Sequence, residues 1–379
     1  MIKRACLMVL SVTAVLVLTG PFFSTSASMA QAAGKPTASY NLYFGDLHTH
    51  TTYSDAWEGT PTDAYLAAKA AGADFMATTD HAFMLTAEEW QKTLREADNC
   101  TSRNFVAIPA YEYWMPGSGE VNTFNAADLP MAIENPAGYG NNAGNHNKSS
   151  DALPIFYDWL AKHVGATGQW NHPDYMTDNF NNYAFRTDGR DKGMNILEMH
   201  NYGSWLWKGI LDYESSYIMA LDMGWHVMPA ANSDTHNPDW ISGYEPRTVL
   251  LAPSLTRADL YGAMSACRGY ATLDKNLRIS YSLNGQVMGS TLSPASTYTA
   301  SVHIQDPDNT PSDAITLVEI VSDGGKVVAS IPAHSNTVDW TVTLTSGTAH
   351  YFYLRVSTES NVSGGPGLTA WTAPVWTGR

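Results

Sequence analysis

Two histidines separated by one residue stand in the segment Gly45-Asp-Leu-His-Thr-His-Thr-Thr-Tyr-Ser-Asp55. If this segment is a strand, His48 and His50 leave it on the same face, because side chains alternate between faces along a strand. Two imidazoles on one face suit a Zn, Mn or Fe ion. Asp46 would share that face and could orient a ligand, and Asp55 would add an oxygen donor after a short turn. A single His-x-His pair is a weak signal, so its weight depends on the rest of the chain.

Metal-binding side chains recur where later strands are predicted to end. They are, in chain order, Asp80 and His81, Glu112, His172, Glu198 and His200, and Asp234 and His236. In parallel α/β folds the C-terminal ends of the strands gather on one rim, where active sites form. Carboxylates crowded there would repel one another and take up protons unless cations neutralised them. The sequence therefore predicts a cluster of two or three divalent ions, Zn, Mn or Fe.

The elements that must position these groups alternate between strand and helix up to about residue 275. The predicted strands are 41–47, 75–79, 104–111, 121–125, 166–170, 194–199 and 225–231. The predicted helices are 61–71, 86–97, 154–163 and 255–268, and Thr86 with Glu89 has the pattern of a capping box. Such alternation predicts a parallel sheet, either open or closed into a barrel.

After Asp274 the pattern contains only β-like runs separated by Asn-Gly, Gly-Gly and Ser/Pro turns. We expect a small antiparallel β-sandwich at 276–379. The segment Asp306-Pro-Asp-Asn-Thr-Pro-Ser-Asp313 has neither the central Gly nor the distal Glu of an EF-hand, so we interpret it as an exposed turn.

The N-terminal residues have the organisation of a secretory signal peptide. Lys3 and Arg4 precede an apolar run at 5–18, and Ala30-Gln31-Ala32 fits a cleavage site. The run is shorter than the roughly 20 residues that span a bilayer, so we favour cleavage over an uncleaved anchor. The expected organisation is a signal peptide at 1–32, a metal-binding domain at 33–275 and the β-sandwich. The protein would be secreted or periplasmic, without stable membrane insertion.

Composition excludes several classes of protein. The chain of 379 residues has 44% hydrophobic residues, enough for a large core, and a net charge of −15. An acidic chain has no electrostatic footprint for nucleic acid, so we expect no nucleic-acid partner. The chain has no G-x-S-x-G elbow and no phosphate-binding P-loop. Cys100 and Cys267 could form a disulfide in an oxidising compartment or remain buried thiols.

Taken together, the motifs GDLHTHTTYSDA, DFMATTDHA, NHP and SDTH, with a strand ending in Glu112, resemble the PHP (polymerase and histidinol phosphatase) superfamily. The leader and β tail are similar to its secreted, carbaryl-hydrolase-like branch. The resemblance covers about residues 40–275. It implies an α/β fold, a distorted (β/α)7 barrel of the PHP type followed by the C-terminal β-sandwich, and a site of three metals.

The resemblance also implies a distribution of ligands. His48, His50, Glu112 and Asp234 would hold one metal, and Glu112 would bridge to a second, shared with His172. Asp55, His81 and His236 would hold the third. Glu112, Asp234 and His236 are the expected catalytic residues.

One position departs from the family pattern, which has a His shortly after the strand-ending Glu. This chain has Gly119-Glu120-Val121-Asn122 there. Glu120 would supply an oxygen ligand and favour Mn or Fe. Alternatively, His146 supplies the nitrogen, or the second metal is weak or absent.

Several further residues are weaker candidates for orienting ligands or contacting the substrate. The long segments 113–150 and 201–214 carry aromatic residues and could act as lids over the site. The weaker candidates are Asp46, Asp80, Glu198, His200, Arg186 and Lys208.

We therefore expect a secreted metal-dependent hydrolase in which a metal-bound hydroxide attacks a small-molecule substrate. The resemblance makes a phosphoester the first expectation. A carboxylic or carbamic ester or an amide is the second. A non-catalytic, metal-loaded binding module is the alternative from a different class.

Overall fold

The computed structural model describes residues 40–115, 118–126, 152–173, 179–203, 212–360 and 367–378. The signal-peptide prediction, His146, Lys208 and most of the two predicted lid segments lie outside these residues. No helix of the described residues has the length and apolar character needed to cross a membrane.

Strands dominate the described chain. In the first part they are β1 (Asn41–Asp46), β2 (Phe75–Thr78), β3 (Val106–Met115), β4 (Gly119–Phe124), β5 (Thr167–Trp170), β6 (Met194–Asn201), β7 (Met228–Asn232), β8 (Arg247–Ala252) and β9 (Gly269–Thr272). In the second part they are β10 (Arg278–Leu283), β11 (Gln286–Val287), β12 (Thr297–Gln305), β13 (Ile315–Ser322), β14 (Lys326–Ser335), β15 (Thr337–Thr345), β16 (Tyr351–Thr358), β17 (Gly367–Thr372) and β18 (Val375–Trp376).

In the described residues, the α-helices all occur before residue 275. They are α1 (Pro61–Ala70), α2 (Ala87–Cys100), α3 (Ala152–Lys162), α4 (Asp188–Asp191), α5 (Glu214–Asp222) and α6 (Arg257–Ser265). Among the described residues after 275, the only helical segments are the short 3₁₀ turns Pro311–Asp313 and Asp323–Gly325. A third 3₁₀ turn, Asn179–Tyr183, precedes α4. The change from strand–helix alternation to strands alone is therefore confirmed.

Local sequence explains how two of the helices begin. Thr86 accepts a hydrogen bond from the backbone N–H of Glu89 at 3.1 Å, and the Glu89 carboxylate accepts one from the backbone N–H of Thr86 at 2.9 Å. This reciprocal pair is the predicted capping box at the start of α2. Thr60 and Asp63 form the same arrangement before α1, where Pro61 occupies the first turn.

One large sheet carries the predicted site residues. Its strand order is β14-β13-β16-β17-β9-β8-β1-β2-β3-β4-β5-β6-β7. The pairs β1–β2, β2–β3, β5–β6 and β6–β7 are parallel. The segments that follow β1 and β7 meet just beyond the C-terminal ends of these strands. The backbone N–H of His50 donates to the Thr235 carbonyl at 3.0 Å, and the backbone N–H of Asp234 donates to the His48 carbonyl at 2.8 Å. The fold is thus mixed α/β, and closure into a (β/α)7 barrel stays a prediction.

Close packing of β1 against β2 explains Gly45 in the His-x-His segment. A Cβ atom added at Gly45 would lie 2.2 Å from the carbonyl oxygen of Phe75. Only glycine lets the two strands come this close. In the resulting parallel pairing Asp46 lies opposite Met76, which aligns the residues that follow β1 with those that follow β2.

The two parts of the chain share sheet and core. β17 pairs with β9 through Ala370 and Thr272, so the large sheet continues across residue 275. A separate four-stranded sheet has the order β11-β10-β12-β15. The main hydrophobic cluster includes residues from both parts, among them Trp170 and Trp371. β8 and β9, which the sequence reasoning did not predict, provide this connection.

The structure decides the state of the two cysteines and the exposure of the segment 306–313. Cys100 and Cys267 are both free and buried, so the buried-thiol alternative is the one observed. The segment 306–313 is exposed along most of its length, but Asp306 is only 2% exposed. The expectation of a simple exposed turn is therefore wrong at Asp306, which directly follows β12 and continues its alternation of exposed and buried residues.

Candidate metal centre

The centre of the site is formed by residues that follow β1 and β7 and by one from β3. Nε2 of His48 and Nε2 of His50 lie 3.3 Å apart. Oδ1 of Asp234 lies 3.2 Å from the first nitrogen and 3.0 Å from the second. Glu112 approaches both, with Oε1 3.4 Å from His48 and Oε2 3.3 Å from His50. Four ligand-type side chains thus converge on one buried point.

A second group lies on the more exposed side of this centre. His236 Nε2 is 3.3 Å from Asp55 Oδ1, and His81 Nε2 is 3.6 Å from Asp55 Oδ2. The rings of His50 and His236 stack with centroids 4.1 Å apart. Ligand atoms of His50, Asp55, His81 and His236 all lie within 4.8 Å of one another.

A third group surrounds Glu112 and Glu120. His172 Nε2 lies 3.3 Å from Glu120 Oε2 and 3.6 Å from Glu112 Oε1. His81 Nδ1 lies 3.1 Å from Glu112 Oε2 and 3.9 Å from Glu120 Oε1. The structure therefore places Glu120 among the candidate ligands, as the first of the three alternatives for this position expected.

All nine side chains predicted as metal ligands thus come together, but their grouping is less partitioned than the resemblance implied. His50 belongs both to the central group and to the group with Asp55. His172 groups with His48 and Asp234, in addition to its contacts with Glu112 and Glu120. The carboxylate of Glu112 contacts four imidazoles, two through each oxygen, which is the arrangement expected of a bridging ligand.

The backbone holds two of these residues in the left-handed region. Asp234 has φ +50° and His172 has φ +26°. Such conformations are uncommon for residues other than glycine and persist where the surroundings impose them. The hydrogen bond from Asp234 N–H to the His48 carbonyl, and that from His172 N–H to Glu198 Oε2 at 2.7 Å, supply this constraint.

Three of the weaker candidates support ligands. Glu198 Oε1 accepts a hydrogen bond from His48 Nδ1 at 3.0 Å, which leaves Nε2 facing the centre. Asp46 accepts from the backbone N–H of His48 and from Tyr244. Asp80 accepts from Thr51 N–H at 2.7 Å and from Ser54 Oγ at 2.8 Å, which fixes the turn after His50.

The other weak candidates lie elsewhere. Arg186 forms ion pairs with Asp188 and Asp191. Among the described residues, no arginine or lysine forms an ion pair with a side chain of the metal-ligand cluster. His200 is buried on β6. Of the aromatic residues proposed for lids, Tyr113 belongs to β3 and stacks on Phe156.

Four asparagines were missed by the sequence reasoning. Asn171 Nδ2 donates to Glu112 Oε1 at 2.6 Å and to Asn122 Oδ1 at 2.9 Å. Asn232 Nδ2 donates to Glu198 Oε1 at 2.9 Å, and Asn201 Nδ2 donates to both Glu198 and Asp234. For Asn171, Asn201 and Asn232 the available signal was position, since each lies at or next to the end of a strand.

The electrostatics of the cluster follow from crowding of opposite charges in a buried space. Burial alone would lower the pKa of His50, but Asp234 and Glu112 outweigh it and raise that pKa to about 9. The pKa of His172 is likewise raised to about 9, with Glu112 and Glu120 opposing burial. Burial and the charge of Glu112 together raise the pKa of Glu120 to about 7. A cation would relieve the repulsion between these two carboxylates.

The donor set fits divalent metal ions. At metal–nitrogen distances of about 2.0–2.1 Å, two ligands in tetrahedral geometry are about 3.3 Å apart, and the two central imidazole nitrogens have this separation. Nδ1 of His81 is buried without a hydrogen bond, although a Glu112 oxygen lies 3.1 Å away. A buried nitrogen that faces a carboxylate without a hydrogen bond is typical of a ligand arranged around an ion. The mixed nitrogen and oxygen donors suit Zn, Mn or Fe.

Comparisons with known proteins give distant structural likeness. No protein-family model matches the sequence, and no curated protein matches it significantly. A two-domain protein from Bacteroides vulgatus, described as containing a predicted PHP-like metal-dependent phosphoesterase, is 14% identical, with 87% of this chain and 95% of that chain covered and a TM-score of 0.44. The soluble domain of PmoD from a Methylocystis species is 13% identical, with 27% of this chain and 90% of that chain covered and a TM-score of 0.21. These likenesses are too distant to decide function, which must be argued from the cluster itself.

Proposed function

We propose that this protein is a metal-dependent hydrolase that cleaves a small-molecule phosphoester. One observation carries the proposal: nine ligand-type side chains from separate parts of the sequence converge in one cluster. A closed structural metal site generally uses four ligands, often with cysteine. This cluster has more than twice that number and no cysteine, as expected of a site for several ions that do chemistry.

His48, His50, Glu112 and Asp234 would hold the central ion, with Asp55, His81 and His236 on one side and His172 and Glu120 on the other. Divalent ions bound there would lower the pKa of a coordinated water and neutralise charge that develops on the substrate. Glu112 places one oxygen towards each side and would keep neighbouring ions at a fixed separation. Glu198, Asp46 and Asn171 fix the orientation of the ligands before a substrate arrives.

The accessible side of the cluster indicates where a substrate would approach. The side chains of Asp55 and His236 are 40% and 32% exposed, whereas those of His48, His50 and Glu112 are 0–1% exposed. A substrate would therefore meet the Asp55–His236 side first. We assign His236 to contact the substrate from this side, while Glu112 and Asp234 act from within.

A phosphoester is favoured over the other substrates by charge and by motif. In the described chain, the cluster's carboxylates pair only with imidazoles, so bound ions would supply the positive charge that a phosphoryl group requires. The resemblance of the motifs at 45–56, 74–82, 171–173 and 233–236 to the PHP superfamily points to the same chemistry.

We also propose that residues 1–32 direct export, so that the secreted protein begins at residue 33. Mass spectrometry of the exported product tests this proposal.

The test is hydrolysis by purified protein loaded with Zn, Mn or Fe, with phosphomonoesters, phosphodiesters and carboxylic and carbamic esters as substrates. We expect turnover of a phosphoester, and loss of at least about 10²-fold in Asp234→Asn, since that change removes a central charge at nearly constant shape. Asp188→Asn, whose side chain is 94% exposed, is the matched control and should keep full activity.

Each other outcome would change the proposal in a defined way. Turnover of carboxylic or carbamic esters alone would move the substrate class to those esters. Metal binding without turnover of any ester would indicate a metal-loaded binding module. Finding one metal or fewer per chain after reconstitution would refute the multinuclear site.

A further inference from the structure

A second group of carboxylates lies where the first part of the chain joins the second. Asp274 follows β9, Asp306 follows β12, and Asp313 ends the 3₁₀ turn before β13. One carboxylate oxygen from each lies within 4.8 Å of one from each of the others. These residues belong to neither the site described above nor any local sequence motif for metal binding.

Asp306 distinguishes this group from an ordinary acidic patch. The residue is 2% exposed, and its Oδ2 atom is buried without a hydrogen-bond partner. Its Oδ1 atom accepts from the backbone N–H of Asp308 at 2.9 Å. A buried carboxylate oxygen with no donor is strongly destabilising unless a cation or a proton satisfies it.

No basic side chain of the described residues satisfies the group. Lys275, the nearest in sequence, bonds to Asp308 at 3.0 Å instead, and Asp274, Asp306 and Asp313 form no ion pair with lysine or arginine in the described chain. Burial and repulsion from Asp274 raise the pKa of Asp306 to about 7. The group therefore holds more negative charge than its surroundings compensate.

A further oxygen without a hydrogen bond belongs to Asn276, two residues after Asp274. Oδ1 of Asn276 is buried and makes no hydrogen bond. The backbone N–H of Asn276 donates to Asp274 Oδ1 at 2.8 Å, and its side-chain Nδ2 donates to Asp308 Oδ1 at 2.8 Å. These two bonds hold Asn276 next to the acidic group.

We propose that Asp274, Asp306 and Asp313 bind a calcium ion that fastens the C-terminal β region to the end of β9. Donors that are all oxygen, three of them carboxylates and none histidine or cysteine, are the ligands that Ca²⁺ prefers. Oxygen ligands at about 2.3–2.6 Å from Ca²⁺ span the observed separations. Mg²⁺ requires stricter octahedral geometry at about 2.0–2.1 Å and usually keeps several of its waters, so Ca²⁺ is the better match for a site built from protein oxygens.

The ion would add to the polar contacts that Asp308 makes with Lys275 and Asn276 across this junction. β9 belongs to the large sheet and β12 to the four-stranded sheet. Calcium would therefore stabilise the junction between the sheets and leave the chemistry at the other metal centre unchanged. Its affinity should lie on the order of 10⁻⁴–10⁻³ M, as in extracellular calcium modules.

The test measures thermal unfolding of the full chain, loaded with one transition metal at the first site, with and without millimolar Ca²⁺ or Mg²⁺. At about 10 mM, Ca²⁺ should raise the Tm of the wild type by at least about 2 °C, and Mg²⁺ should raise it less. Asp306→Asn should abolish the calcium-dependent increase. Without calcium this variant should be at least as stable as the wild type, because the amide removes a repelling charge.

Asp339→Asn, on the exposed surface of β15, is the matched control and should respond to calcium as the wild type does. If Asp306→Asn fails to fold, titration calorimetry of the wild type against Asp313→Asn makes the same comparison. An equal calcium response in wild type and Asp306→Asn would overturn the proposal. So would a wild type stabilised by mild acid and not by calcium, because a proton would then satisfy Asp306. Neither result bears on hydrolysis at the first site.

Discussion

The contact between Glu198 and His48 provides the sharpest test of how the cluster is held. Glu198 is fully buried and accepts four hydrogen bonds, two at each oxygen. Oε1 accepts from His48 Nδ1 at 3.0 Å and from Asn232 Nδ2 at 2.9 Å, and Oε2 accepts from His172 N–H at 2.7 Å and Asn201 Nδ2 at 3.0 Å. Every lone-pair position of the carboxylate therefore faces a donor.

Glu198→Gln keeps the shape of the side chain but cannot keep these bonds. The amide has one accepting oxygen, so in either orientation its NH₂ group faces two donors. Hydrogen bonds to charged groups contribute about 1.5–3 kcal/mol each, so we expect the free energy of unfolding to fall by about 2–5 kcal/mol. Loss of a group that orients a metal-binding imidazole lowers metal affinity about 10–100-fold, which corresponds to about 1.4–2.8 kcal/mol.

The assay is competition for the metal against a chelator of known affinity, combined with thermal unfolding. Glu214→Gln is the matched control, because Glu214 is also a buried carboxylate, 8% exposed, and accepts from Tyr353 at 2.7 Å and Arg355 at 3.1 Å. It should lose stability but keep metal affinity. The assigned role of Glu198 is wrong if folded Glu198→Gln binds metal as tightly as the wild type. It is also wrong if Glu198→Gln and Glu214→Gln weaken metal binding by the same factor.

Three further predictions follow from single contacts. Glu120→His should shift metal preference from Mn or Fe towards Zn, measured as relative occupancy after loading with equal concentrations; an unchanged preference would remove Glu120 from the ligands. Cys100 and Cys267 should not react with a thiol reagent in the native protein and should both react after denaturation, because they are free and buried; the absence of thiols after denaturation would indicate a disulfide. Burial would raise the pKa of Asp191, but hydrogen bonds from His226 lower it overall. Its stabilising effect is therefore present above the ordinary pKa of about 3.9 and lost as pH falls through the lowered value; Asp191→Asn should lower Tm near neutral pH by more than it does at about pH 2, and an equal decrease at both would contradict this.

Much of the site was contained in the sequence because it depends on residue type and strand position. The sequence placed His48 and His50 on a strand; in the structure they follow β1, which ends at Asp46, and both imidazoles still face the cluster. Acids and histidines at the ends of neighbouring strands must approach one another once those strands pair. The capping box at Thr86 and the change to strands after residue 275 are equally local, since each depends on backbone preferences within a few residues.

The sequence reasoning missed features that depend on contacts between distant residues. Glu198 and His48 are 150 residues apart, so no local pattern could show that one orients the other. β8 and β9 were missed for a related reason: their place in the sheet comes from antiparallel partners on both sides, including β17, about 100 residues beyond β9.

The sequence by itself determined which side chains could bind metal, and it left Glu120 as one of three alternatives at the position that departs from the resembled pattern. Tertiary structure decided which of these atoms meet, which asparagines support them, and that both cysteines remain free. It also turned Asp306 from one residue of a polar turn into a buried carboxylate facing two others. The physical reason is that residue type and local periodicity are properties of the chain, whereas burial and charge compensation exist only after distant segments have packed together.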